Sequence, residues 1–236
     1  MVKQFLFEDR DSLFNALALA CERHLSKALS TQGQASFMVS GGDTPAPLYQ
    51  ALSHSDLDWT NTHVALVDER WVDKDHEASN EALIHRCLLI NEATQAPFTG
   101  MKTTAETALE GCAESEENYR QLPKPFTVSI LGMGNDGHTA SLFPHAQGLN
   151  EALAEDNDQL IAAINAHESE VTGPNTERMT LTLNGLLNSK RLIILLTGEE
   201  KLAVFKQALG DGDVEDMPIR AILRQNKAPV ELYWAP

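Results

Sequence analysis

The residues best suited to chemistry fall in four short clusters. The first is SGGDTPAPLY, Ser40 to Tyr49. Gly41 and Gly42 permit tight or left-handed turns and close backbone approach. Thr44 or Asp43 can cap a helix whose first turn contains Pro45. A glycine turn opening a helix presents amide N–H groups and a positive dipole end, which suit a phosphate. Taken alone, a simple capped turn explains the same residues equally well. The second cluster is VDERWV, Val67 to Val72. Asp68, Glu69 and Arg70 stand where a strand delivers side chains to the switch-point crevice, and the Arg70 guanidinium can fork onto phosphate or carboxylate oxygens. For Glu69 the plainer reading is preferred, a local ion-pair network that orients Arg70.

The third cluster is ILGMGNDGHTASLFP, Ile130 to Pro144. Gly132, Gly134 and Gly137 spell the G-x-G-x-x-G of dinucleotide binding, but that fingerprint needs an acidic residue at the end of the next strand, ~20 residues on. Here Glu155, Asp156 and Asp158 precede that strand instead. A loop with Asp136 two residues before His138 is better read as holding a catalytic side chain. A capped or core histidine is the weaker alternative. The fourth cluster is Arg178 in RMTLTL with Lys201 in LLTGEEKLAVF. A lysine in the opening turn of a helix opposes the helix dipole, a conflict that a bound anion removes. By itself Lys201 reads as a solvated surface lysine.

These clusters need elements to hold them. Short apolar or β-branched runs predict strands at Lys3 to Phe7, Ser36 to Val39, His63 to Val67, Thr127 to Leu131, Leu160 to Asn165, Arg191 to Leu196 and Val230 to Trp234. Amphipathic stretches predict helices at Ser12 to Leu29, Pro45 to Leu52, Asn80 to Leu89, Glu106 to Gln121, Leu181 to Leu187 and Glu199 to Leu209. Such alternation implies an α/β fold: a doubly wound, mostly parallel sheet with helices on both faces and right-handed crossovers. Ligands of these sheets bind beyond the carboxyl ends of the strands, which is where the clusters lie.

At 236 residues the chain is read as a single domain, 1–236, with a hydrophobic fraction of 42% that can support a core. The net charge of −16 repels nucleic acid and anionic lipid. It also repels anionic metabolites, so a phosphate site needs a local cluster of Arg, Lys and amides. Early acidic residues, Glu8, Asp9 and Asp11, interrupt any signal-peptide core, and no apolar run reaches the ~18 residues of a membrane span. A cytoplasmic location is expected. Cys21, Cys87 and Cys112 lie far apart without a CxxC pair, so buried reduced thiols are expected rather than disulfides or zinc.

SGGDTP, VDERWV with the later Ser79-Asn80, LGMGNDGHTASLFP, and RMTLTLNGLLNSKRLIILLTGEEK together resemble the 6-phosphogluconolactonase family. That family sits in the larger superfamily shared with glucosamine-6-phosphate isomerases. The resemblance runs in the family's order from Ser40 to Lys201. It implies hydrolysis of 6-phospho-D-glucono-1,5-lactone to 6-phosphogluconate in the oxidative pentose phosphate pathway, without cofactor or metal, by a monomer or small homo-oligomer. His138 is then the general base that activates water and Asp136 its orienting partner, a turn cap being the alternative for Asp136. Ser40, Gly41, Gly42, Thr44, Asp68, Arg70, Arg178 and Lys201 form the substrate and phosphate site. Backbone amides or Arg70 stabilise the oxyanion.

Two alternatives remain. An amino-sugar phosphate isomerase or deaminase resembles the chain at Asp68-Glu69, but usually carries an aromatic residue in place of Arg70. It also carries a ring-opening Glu where this chain has Phe143. A non-catalytic sugar-phosphate sensor would keep the phosphate loop and Lys201 without needing His138.

Overall fold

The computed structural model describes residues 2–236. Its strands are β1 (Lys3–Leu6), β2 (Ala35–Val39), β3 (Thr62–Leu66), β4 (Asp68–Arg70), β5 (Phe98–Thr99), β6 (Val128–Leu131), β7 (Ile161–Asn165), β8 (Glu177–Leu181), β9 (Leu192–Thr197) and β10 (Val230–Ala235). The helices are α1 (Arg10–Gln32), α2 (Ala46–Ser53), α3 (Asn80–Cys87), α4 (Ala108–Arg120), α5 (Leu149–Leu153), α6 (Leu183–Leu187), α7 (Glu199–Leu209) and α8 (Ile219–Arg224). Seven strands form one parallel sheet in the order β1-β10-β9-β6-β2-β3-β5. This is the doubly wound α/β sheet expected from the sequence.

Local chemistry sets the main helices. Asp9 caps α1 by accepting from the Ser12 amide, and Gly33 ends it in a left-handed turn whose N–H donates to Leu29. Between these caps Leu13, Leu17, Cys21, Leu25 and Ala28 recur at helical spacing and form the buried stripe. A reciprocal capping box of Thr107 and Glu110 starts α4. Two buried tyrosines then pin the strand ends that open the site. The Tyr49 hydroxyl accepts from the Ser40 amide (3.0 Å) and donates to the Ser40 carbonyl (2.8 Å). The Tyr119 hydroxyl does the same at Leu66, at 3.1 and 2.9 Å.

From β2 the chain winds outward through β3 to β5, then returns to place β6 on the other side of β2. The reversal opens a crevice at the carboxyl ends of β2 and β6.

One strand departs from expectation. The segment Leu160 to Asn165 is not part of the parallel alternation; as β7 it joins a separate antiparallel sheet, β4-β8-β7. The stretch from β7 to β8 holds no crossover helix, and a return without one must be antiparallel. Leu181, expected to begin a helix, ends β8 instead, and Thr182 caps α6 through the Gly185 amide. Cys21 and Cys87 are buried and Cys112 is half-buried, all three as free thiols. Among the described residues no helix is long and apolar enough to cross a membrane.

Candidate active site

Beyond β6 the chain turns back on itself. The Gly134 amide donates to the His138 carbonyl at 2.9 Å, and the Gly137 amide donates to Gly134 at 3.0 Å, with Gly137 at φ +80. A Cβ on Gly134 would collide with both His138 and Asp136, so their approach to the backbone requires glycine there. No helix opens at this turn, since α5 starts only at Leu149. The G-x-G-x-x-G therefore lacks the helix N-terminus that a dinucleotide pyrophosphate needs.

The turn aims a dyad at the crevice. Asp136 Oδ1 accepts from the His138 amide at 3.0 Å and lies 2.6 Å from His138 Nδ1. An ionised Asp136 selects the Nδ1–H tautomer and leaves Nε2 as the basic nitrogen. Burial pushes the Asp136 carboxyl up, but the hydrogen bonds and charge of His138 outweigh it and hold the group below its ordinary value. The His138 ring stacks on Phe143 at a centroid separation of 4.3 Å.

Three cations face the same space. The register of β4 with β8 sets Arg70 directly opposite Arg178. Arg178 is buried; its Nε donates to the Asn175 carbonyl (2.6 Å) and its Nη2 to Thr172 (2.8 Å). Arg70 Nη1 donates to the Ala78 carbonyl at 2.7 Å, and Lys201 Nζ to the Met133 carbonyl at 2.8 Å. Among the described residues none of the three is ion-paired with a carboxylate. Burial lowers the Arg178 guanidinium to about 10, with Asp68 opposing and Arg70 reinforcing the shift, so it remains charged at neutral pH. Burial also lowers Lys201, against the pull of Asp136 and Glu200.

Asp68 is buried on the cavity wall. Its Oδ2 accepts from Ser141 Oγ at 2.7 Å, and Asn80 Nδ2 donates to its carbonyl oxygen at 2.8 Å. Glu69 does not form the expected ion pair with Arg70. It accepts from the Arg70, Asn80 and Glu81 amides and from Ser79 Oγ at 2.8 to 3.0 Å, and so seals the start of α3. Burial pushes its carboxyl up while these bonds oppose the shift.

The cap expected from Thr44 or Asp43 is also absent. Pro45 is the N-cap of α2 and makes no side-chain cap bond. The amides of Gly41, Gly42 and Thr44 have no acceptor among the described residues. Gly42 has φ +89, and a Cβ on Gly41 would collide with Asn80.

These groups enclose a cavity of about 300 Å³ lined by Ser40, Gly41, Gly42, Asp68, Arg70, His138, Arg178 and Lys201. Thr44 lies in an adjoining hollow of about 160 Å³ that shares Ser40, Gly41, Gly42 and Lys201. Asp136 stands behind His138 rather than on the wall. Asn80, Ala140 and Val171 also line the cavity and were not expected there as site residues. The Ser79-Asn80 pair at a helix start was a usable signal for Asn80; Val171 sits in a loop without one. A larger hollow of about 750 Å³ borders α5, α6 and α8 but contains no histidine. There Arg220 donates to the Asp211 and Asp213 carbonyls at 2.9 Å.

The family model described as glucosamine-6-phosphate isomerases/6-phosphogluconolactonase matches residues 8–234. A 6-phosphogluconolactonase of Rhizobium meliloti is 38% identical over 231 residues, covering 98% of this chain and 97% of the relative. One of Pseudomonas aeruginosa is 39% identical, covering 93% and 89%. The crystal structure of a 6-phosphogluconolactonase from Shewanella baltica superposes with a TM-score of 0.94 at 41% identity, covering 100% of this chain and 98% of that one.

Proposed function

The chain belongs to the glucosamine-6-phosphate isomerase/6-phosphogluconolactonase family, and we propose that it performs the lactonase reaction of that family. It hydrolyses 6-phospho-D-glucono-1,5-lactone to 6-phosphogluconate in the cytoplasm, as one domain and without a cofactor. The observation that carries this reading is a cavity holding both an Asp136–His138 dyad and three cations without carboxylate partners. In a chain of net charge −16, such cations are reserved for an anionic ligand.

In this reading the phosphate rests on the Ser40 to Thr44 loop with Arg70, Arg178 and Lys201. This places the lactone carbonyl toward His138. Neutral His138 Nε2 takes a proton from water as the water oxygen bonds to C1. Asp136 stabilises the imidazolium that forms. The tetrahedral intermediate collapses by breaking the bond from C1 to the ring oxygen, and the imidazolium returns its proton to that oxygen. The carboxylic acid product ionises and releases one proton. General-base catalysis contributes ~10²–10⁴-fold, with positioning and electrostatics supplying the rest.

Deamination of an amino sugar needs ring opening and proton transfer between C1 and C2, hence more acid–base groups. Phe143, against the His138 ring, cannot transfer a proton. The test is proton release on adding freshly generated lactone, corrected for spontaneous hydrolysis, beside an ammonia assay with glucosamine 6-phosphate. Enzyme-dependent proton release without ammonia is expected. Ammonia production that disappears in Asp68→Asn overturns the assignment, and failure of both assays leaves the sensor reading.

A further inference from the structure

Phe143 has no acid–base chemistry, yet it touches groups that do. Its ring is 4% exposed and lies on the cavity wall. It stacks against the His138 imidazole at 4.3 Å with 30° between the planes, and the Arg178 guanidinium carbon lies 5.2 Å from its centroid. Asp136 restrains the imidazole at its edge, through Nδ1; Phe143 restrains it by its face. Together the two contacts limit rotation of the ring and fix the direction of Nε2. An aromatic face carries negative charge density and attracts a cation more than a neutral ring. The stack therefore strengthens as His138 becomes imidazolium.

We propose that Phe143 is a positioning residue for hydrolysis: its ring fixes the plane of His138, favours the imidazolium formed when water is deprotonated, and keeps the base in register with Arg178. The inference rests on the reading of His138 as general base. The charged groups around His138 are Asp136 on its own loop, Lys201 on α7, Asp68 and Arg70 on β4, and Arg178 on β8. None of these charges is substituted when only residue 143 changes, although Arg178 also contacts that ring.

Three substitutions test the proposal. Phe143→Leu keeps apolar bulk and removes the π face. Pentafluorophenylalanine incorporated at position 143 keeps the shape and reverses the charge of the face. Phe143→Tyr keeps shape and face. Two readouts are compared: the acid limb of the kcat/KM profile, and the His138 imidazole titration followed by NMR, which needs no lactone.

Because neutral His138 is the active form, loss of the π face moves both midpoints to lower pH, by roughly half to one unit. The expected pattern is a downward shift in the leucine and fluorinated proteins, a lower kcat plateau, and near wild-type behaviour for Phe143→Tyr. If leucine disturbs folding, the fluorinated ring decides. Unchanged midpoints in that protein, with lactone hydrolysis intact in the wild type, overturn the role of Phe143 alone. No hydrolysis by the wild type sinks the catalytic reading and this proposal with it.

Discussion

The two ends of β9 handle positive charge in opposite ways. At its amino end Arg191 pairs with Glu231 at 3.0 Å, the carboxylate side chain being only 8% exposed. Past its carboxyl end, Lys201 shares a cavity with Arg70 and Arg178, and all three donate to backbone carbonyls instead of carboxylates. A closed pair has little left to offer a ligand. A guanidinium held by carbonyls stays in place without a direct ion pair, Asp68 only partly offsetting the cost of its burial, and its charge remains open to an incoming phosphate. The comparison separates carboxylate-paired cations from carbonyl-held ones more sharply than exposure does, since Arg178 is the more buried arginine of the two.

The largest expected effect lies at the dyad that this open end serves. His138→Ala should lower kcat/KM by ~10²–10⁴-fold with the fold and product binding nearly intact. Retention of more than about a tenth of the activity, a loss below ~1.4 kcal/mol, is too little for an essential base.

The comparison itself is broken or sharpened by matched substitutions. Arg178→Met should lower kcat/KM by ~10–100-fold, as expected for losing charged hydrogen bonds of about 1.5–3 kcal/mol. Its melting temperature should fall only slightly, because relief of a desolvated cation offsets the loss of the bonds to the Asn175 and Thr172 carbonyls. Arg191→Met should do the reverse: activity is unchanged, and stability falls by about 1–3 kcal/mol as Glu231 loses its partner. Equal effects of the two substitutions on kcat/KM would erase the distinction.

Much of this arrangement was legible in the sequence, for a local reason. Runs such as Phe37 to Val39 and Leu192 to Leu196 are apolar enough to be buried strands, and the glycines of the His138 turn announce where the chain must reverse. The antiparallel sheet was not legible. β4 is the charged triplet Asp68-Glu69-Arg70, a strand only because it pairs with β8, and that pairing spans over a hundred residues of sequence. The same distance hides Arg70 beside Arg178, although each was singled out separately. Glu69 was misassigned because its partners are backbone amides at the start of α3, which residue types do not reveal. Phe143 could be read as unable to move protons, but its stacking on His138 is visible only in three dimensions.

A crystal structure with bound 6-phosphogluconate tests the central claim most directly. The account predicts the phosphate against Gly41 and Gly42, within hydrogen-bonding reach of at least one of Arg70, Arg178 and Lys201, and C1 beside His138 Nε2. A phosphate seated away from the Ser40 to Thr44 loop, or a C1 carboxylate remote from His138, would contradict it.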